Sequence, residues 1–230
     1  MIRSRRIKLI YAYPSFSAFL TGVLIVFFVL INPVQADTVI VEKIINAIEK
    51  TYSQKSFTAN FTQVSKLAAL EIEETAFGLA SFSHPGKMKW EYLLPDQHEI
   101  ITNGKMLWIY RPHENQVMRG DAAAFFKAGS GGAFLSDIAI IRKNYAVKLK
   151  KITKEYTEID LLPQKENDEI SAITIQILQK NNHIKRVVTC NAFDDMTMIE
   201  FSNVKFISFA PNFFEFKPDK KLNIIDMHPM

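Results

Sequence analysis

The sequence predicts a mainly β protein, built as one antiparallel sheet of about ten or eleven strands with three helical segments. Three observations predict it. Apolar residues recur at every second position over most of residues 56–217, turn residues break the alternation at short intervals, and helical spacing appears in only three places. A sheet this long is expected to close or nearly close on itself, because open edges aggregate and one face is apolar.

The elements follow in order. Val39 to Tyr52 has Ile40, Ile44, Ile45, Ile48 and Tyr52 at spacings of three and four, with Glu42, Lys43, Glu49 and Lys50 opposite, and reads as an amphipathic helix. The period then becomes two: Phe57, Ala59, Phe61 and Gln63 alternate with Thr58, Asn60 and Thr62. Ile72 to Ser83 continues as a long strand in which Gly78 marks a bulge or bend. His84-Pro85-Gly86-Lys87 is a turn, after which Met88, Trp90 and Tyr92 alternate with Lys89 and Glu91. Asn103-Gly104 is a strong hairpin signal between Glu99–Thr102 and Met106–Tyr110.

Two short helical pieces interrupt the strands, at Ala122–Ala128 and Ala133–Ile141, and Gly129-Ser130-Gly131-Gly132 between them reads as a hinge. Six further strands are expected at Tyr145–Ile152, Tyr156–Leu162, Ala172–Gln179, Ile184–Asn191, Thr197–Lys205 and Phe213–Lys217. The helical pieces are not needed to complete the meander, so they are free to plug or cover its interior, and barrels of eight or more strands have room for a ligand.

The first 36 residues read as a cleaved secretory signal peptide. Arg3, Arg5, Arg6 and Lys8 precede an apolar run from Ala18 to Ile31, and Val34-Gln35-Ala36 supplies small residues for cleavage after Ala36. The run is shorter than the roughly 20 residues that span a bilayer. The chain has 28 basic and 24 acidic residues, and four of the basic ones lie in this leader, so Asp37 to Met230 is neutral. The excess of positive charge therefore belongs to the export signal and gives no support to nucleic-acid binding. A soluble protein of a bacterial envelope is expected. The one cysteine, Cys190, excludes an internal disulfide and any cysteine-based metal site, and is expected in the apolar core.

Residues that could carry chemistry form no recognised set. The five histidines (84, 98, 113, 183 and 228) have no metal-ligand spacing. Gly129–Gly132 lacks the Lys-Ser/Thr of a phosphate loop and has no strand presenting Ser130 as a nucleophile. Glu71, Glu73 and Glu74, like Lys148, Lys150 and Lys151, read as solvated strand faces. No enzyme, cofactor or metal is expected. The neutral segment 37–230 keeps 14 Phe, 2 Trp and 5 Tyr, which pack a core; some are expected to line a cavity for an apolar ligand.

Ser56-Phe57-Thr58-Ala59-Asn60-Phe61-Thr62-Gln63 begins an ordered set of motifs. It continues through Gly78, Pro85, Met88–Tyr92, Pro95, Asn103-Gly104-Lys105 and Leu107–Tyr110. Ile199–Lys205, Phe214–Pro218 and Ile224-Ile225-Asp226 complete it. The set resembles the periplasmic lipoprotein carrier family, LolA. The resemblance implies an incomplete antiparallel β-barrel of about 11 strands, with an N-terminal helix and a helical lid over a hydrophobic cavity. It implies one lipoprotein carrier domain, residues 37–230, a periplasmic monomer that binds the acyl chains of lipoproteins. Its partners would be an inner-membrane ABC transporter and an outer-membrane lipoprotein acceptor; the alternatives are a carrier of another envelope lipid or glycolipid, or a lipoprotein-binding stress-sensor module.

On this resemblance Phe57, Phe61, Met88, Trp90, Trp108 and Tyr110 are expected to line the cavity, with the strand register deciding which aromatic residues face inward. Met88 would lie near the mouth, where a glutamate should lower loading and leave the fold intact. Phe134, Leu135 and Ile138 are expected on the lid. Family members carry an Arg before the Pro of the strand turn, which bonds lid carbonyls and holds the lid shut. Here that position is His84, with fewer donors; it is either the lid latch or an ordinary turn residue.

Overall fold

The structure, a computed structural model, describes residues 33–123, 133–165 and 169–227. α1 (Pro33–Tyr52) extends at least six residues further toward the N-terminus than the apolar spacing does. Val41, Ile45, Ile48 and Tyr52 form its buried stripe. Tyr52 ends that stripe with its hydroxyl oxygen accepting the Ile184 N–H at 2.8 Å. Burial pushes its phenol pKa up to about 12.

One twelve-stranded sheet follows. The first meander is β1 (Ser56–Leu67), β2 (Ile72–Ser83), β3 (Lys87–Leu94), β4 (His98–Thr102), β5 (Met106–Arg111) and β6 (Gln116–Asp121). The second is β7 (Tyr145–Ile152), β8 (Tyr156–Pro163), β9 (Ala172–Leu178), β10 (Ile184–Cys190) and β11 (Met196–Phe206). The two join where β1 pairs with β11, and β12 (Asn223–Asp226) adds in parallel to β6. The order is β12-β6-β5-β4-β3-β2-β1-β11-β10-β9-β8-β7. All other pairings are antiparallel, and the sheet stays open, with β7 and β12 at its two ends.

Three expectations need correction. Phe213–Lys217 is not a strand. Its rings instead pack as a knot, with Phe209 and Phe213 4.4 Å apart and Phe213 and Phe214 5.0 Å apart, while Phe216 lies 5.1 Å from Tyr110. The last strand is β12, too short and too exposed to show an alternating pattern. Ala133–Ile141 is not one helix but a 3-10 turn (Ala133–Ser136) followed by α2 (Ile140–Asn144). Cys190 is half-buried at the end of β10, not in the core. The expected helix Ala122–Ala128 beyond Ala123, the Gly129–Gly132 hinge and the leader up to Asn32 lie outside the described residues.

The expected hairpin at Asn103-Gly104 is present. Asn103 Oδ1 accepts both the Lys105 and the Met106 N–H at 2.9 Å, and Gly104 takes φ +91°, a left-handed conformation that glycine adopts without strain.

Candidate functional site

The register of four strands builds one aromatic face. Phe57 lies opposite Phe82, Ala59 opposite Ala80 and Phe61 opposite Gly78. Phe82, Ala80 and Gly78 lie in turn opposite Met88, Trp90 and Tyr92. On the other flank Phe61 is opposite Phe201 and Gln63 opposite Ile199. Because side chains alternate across a strand, these residues point to the same side. Small residues sit beside large ones, so the rings interleave. Phe61 meets Trp90 edge to face at 4.9 Å and Tyr92 at 5.0 Å, and Phe57 stacks on Phe82 at 4.8 Å.

Gly78 makes this packing possible. A Cβ there would lie 2.1 Å from the Glu91 carbonyl oxygen and 2.6 Å from the Phe61 ring. The β2–β3 register also shifts between Phe77 and Gly78, so the bulge expected at this glycine is present, with Leu93 of β3 as the extra residue.

The face is covered, not hollow. Phe134, Leu135 and Ile138 are buried in the same cluster as Phe57, Phe61, Met88 and Trp90, together with the α1 stripe and Ile141 of α2. Met88, at 1% exposure, is therefore interior, and the expected place at a cavity mouth is corrected. A glutamate there would bury a charge and lower stability as well as any binding. Trp108 and Tyr110 are also corrected. Trp108 pairs with Ile101, one residue out of phase with Ile100 opposite Trp90, so β5 presents both aromatics to the other side of the sheet. There Ile101, Trp108 and Val117 form a second cluster, with Tyr110, Phe216 and Leu222 packed on it.

Two sets of contacts hold the 133–144 segment. On one side the Gly86 N–H donates to the Ser136 carbonyl at 2.7 Å, joining the β2–β3 turn to the segment through main chain. On the other, Arg142 of α2 donates to Glu49 at 2.7 Å, Glu42 at 2.8 Å and Asn46 at 2.7 Å on one stripe of α1. Neither Gly86 nor Arg142 was singled out by sequence reasoning. The only available signal was the spacing of Glu42, Asn46 and Glu49, and the cation it would meet lies about a hundred residues away. A groove of about 480 Å³ opens between α1 and the end strand β7, lined by Val41, Ile45, Tyr145, Val147 and Leu149 with Arg142 beside them.

His84 stands at the same junction. Its ring lies 6.5 Å from that of Phe57, and its Nε2 is buried with no hydrogen-bond partner among the described residues. Burial lowers its pKa below the ordinary imidazole value, and the Asp137 carboxylate and Leu135 backbone only partly offset this. His183 is lowered too, by burial and by Lys180. A histidine whose folded pKa is depressed leaves the unfolded chain binding more protons below about pH 6.5. Its stabilising contribution is thus complete above that pH and is lost as pH falls through the folded value. The thermal midpoint is expected to drop as pH falls from about 7 to 5. His84→Gln and His183→Gln should each remove part of that slope, and an unchanged slope in His84→Gln would exclude His84 from the effect.

Among the described residues no group of three or more His, Cys, Asp or Glu could hold a metal ion, and no helix is long and apolar enough to cross a membrane. The fold and site together define a class: an open antiparallel sheet whose aromatic face is sealed by a helix and a short helical segment. Residues 52–217 match the family described as "Outer membrane lipoprotein carrier protein LolA", so the chain belongs to that family.

Named relatives agree. An outer-membrane lipoprotein carrier protein of Nitrosomonas europaea is 25% identical over 181 residues, covering 76% of this chain and 86% of its own. One of Francisella tularensis subsp. tularensis is 28% identical over 182 residues, covering 78% and 85%. Among solved structures, an uncharacterized conserved protein from Thermus thermophilus shares the fold, with a TM-score of 0.54 at 12% identity over 81% of this chain and 98% of that one.

Proposed function

We propose that residues 37–230 act, after removal of the signal peptide 1–36, as a periplasmic carrier. It takes up the acyl chains of lipoproteins released from the inner membrane and delivers them to the outer membrane. The observation that carries this reading is the aromatic face of Phe57, Phe61, Met88 and Trp90, sealed by Phe134, Leu135 and Ile138 through a few identifiable contacts. The names and coverage of the family's members support it. The mechanism is non-catalytic, and the carrier works as a monomer.

The physical need for a carrier is plain. Each buried methylene is worth roughly 0.8 kcal/mol, so one chain of about 15 methylenes resists water by roughly 12 kcal/mol. Acyl chains would take the place of Phe134, Leu135 and Ile138 on the aromatic face, exchanging one set of apolar contacts for another. Such an exchange is nearly balanced, so the load can pass on to a tighter acceptor. His84, buried beside Leu135 and Asp137, serves as latch together with the Gly86–Ser136 bond. An inner-membrane ABC transporter supplies the lipoprotein, and an outer-membrane acceptor receives it.

A release assay tests this. Transporter proteoliposomes holding a labelled lipoprotein receive purified residues 37–230. An ATP-dependent soluble complex, one lipoprotein to one carrier, is the expected result. No release, from a folded protein and a transporter of the same organism, would rule out lipoprotein as cargo. Native mass spectrometry for a co-purified lipid would then identify the alternative.

A further inference from the structure

Among the described residues the most exposed large apolar side chains are Phe193 and Leu70, at 70% and 65%. They stand on two neighbouring turns, one between β10 and β11 and one between β1 and β2. The turns are tied together, because the Ala68 N–H donates to Asp195 Oδ1 at 2.9 Å. Asp195 is in turn held by Asn191, whose Nδ2 donates to Asp195 Oδ2 at 3.0 Å and whose Oδ1 accepts the Phe193 and Asp195 N–H groups at 2.9 Å. Leu67 and Ile72, cross-strand partners at the end of the hairpin, are exposed as well.

A single exposed leucine means little, but four large apolar residues on a braced tip form a patch. Its rim has one sign. Glu71, Glu73, Glu74 and Asp194 are exposed around it and Asp195 is half-buried, whereas Lys66 is the sole cation of residues 66–74 and 191–195 and is already paired with Glu73 at 2.7 Å. The tip lies at the far end of β2 from the Gly86–Ser136 contact. Twelve strand residues at about 3.3 Å each place the two roughly 35–40 Å apart, so the tip is separate from the covered face.

An anionic bilayer would be repelled by this rim. A protein surface of opposite charge would be attracted, and the apolar tip would fill a recess in it. We infer that the paired turns at 67–72 and 193–195 form a protein-docking knob whose partner presents an apolar recess rimmed by lysine and arginine. The carrier reading enters only in choosing which proteins to test.

The probes are the purified lipoprotein transporter and the outer-membrane acceptor of the same bacterium, with vesicles of phosphatidylethanolamine and phosphatidylglycerol as a third surface. Uptake of a fluorescent fatty acid reports on the covered face separately. The wild-type protein is expected to bind at least one of the two proteins, more weakly as salt rises. The double variant Leu70→Ser/Phe193→Ser should lose about tenfold or more, and Glu71→Lys/Glu74→Lys should weaken binding too, with fatty-acid uptake unchanged in both. Variants that bind as tightly as wild type overturn the inference. Wild-type binding to the vesicles that the serine variant loses overturns it in favour of a lipid surface. A wild type that binds neither protein also overturns it, and its fatty-acid uptake then shows independently whether the carrier reading stands.

Discussion

Gly78→Val is expected to destabilise the protein severely, by about 3 kcal/mol or more. Even the first carbon of the new side chain would sit 2.1 Å from the Glu91 carbonyl oxygen and 2.6 Å from Phe61 Cε1. The carbonyl belongs to the β2–β3 ladder and cannot withdraw without breaking it. The Phe61 ring is packed edge to face against both Trp90 and Tyr92. Overpacking usually costs about 1–3 kcal/mol, and a backbone clash in the centre of the sheet belongs at or above the top of that range. Against a typical total of about 5–15 kcal/mol this is severe. Urea unfolding followed by circular dichroism measures it. Adding Phe61→Leu to Gly78→Ala should recover part of the loss by removing the ring clash, while the carbonyl clash remains. A change below about 0.5 kcal/mol for Gly78→Val would refute a tight β2–β3 contact at this point.

Leu135→Asp is expected to detach the 133–138 segment while leaving the sheet intact. Leu135 is 2% exposed within the core cluster, where an unpaired carboxylate costs several kcal/mol. The segment's remaining ties are the buried side chains of Phe134 and Ile138, the His84 contact with the Leu135 backbone, the Gly86–Ser136 bond and the Arg142 clamp, the last exposed to solvent and so of modest strength. Release of the segment is the least costly way to return the charge to water. It would uncover Phe57, Phe61, Met88 and Trp90. Binding of a fluorescent fatty acid should then rise several-fold, and Trp90 fluorescence should shift to longer wavelength, with far-ultraviolet circular dichroism unchanged. A single cooperative loss of the whole fold, with no gain in binding, would show that the segment is an integral part of the core and not a cover.

How much was legible in the sequence follows from how local each feature is. The β1 strand, the Asn103-Gly104 hairpin and the α1 stripe each depend on residues within a dozen positions of one another. Alternation and turn chemistry therefore reveal them directly. The place of Gly78 in a strand also signalled a bulge, because a glycine inside an alternating run has few other reasons to be there. β12 was missed because four exposed residues pairing in parallel with a strand about a hundred positions earlier carry no local pattern. Phe213–Lys217 was misread because its alternating aromatics pack against one another and against the far side of the sheet.

Within the site, Phe57, Phe61, Met88 and Trp90 share a face because each strand's phase is set by its own alternation and by a tight turn to the next. Across the β3–β4–β5 connections the phase follows the hairpin registers, which place Trp108 and Tyr110 on the opposite side. The interior position of Met88 and the clamp on Arg142 depend on which segments come to lie over the sheet.

The sequence by itself determined the class of fold, most of the strands in order along the chain and the α1 helix. The tertiary structure alone decided which side each aromatic faces, what covers that side, and which two turns combine into an acidic, apolar-tipped end. The physical reason is range. Backbone propensity and turn chemistry act between near neighbours, whereas burial, charge clamps and exposed patches arise only when segments a hundred residues apart are brought together.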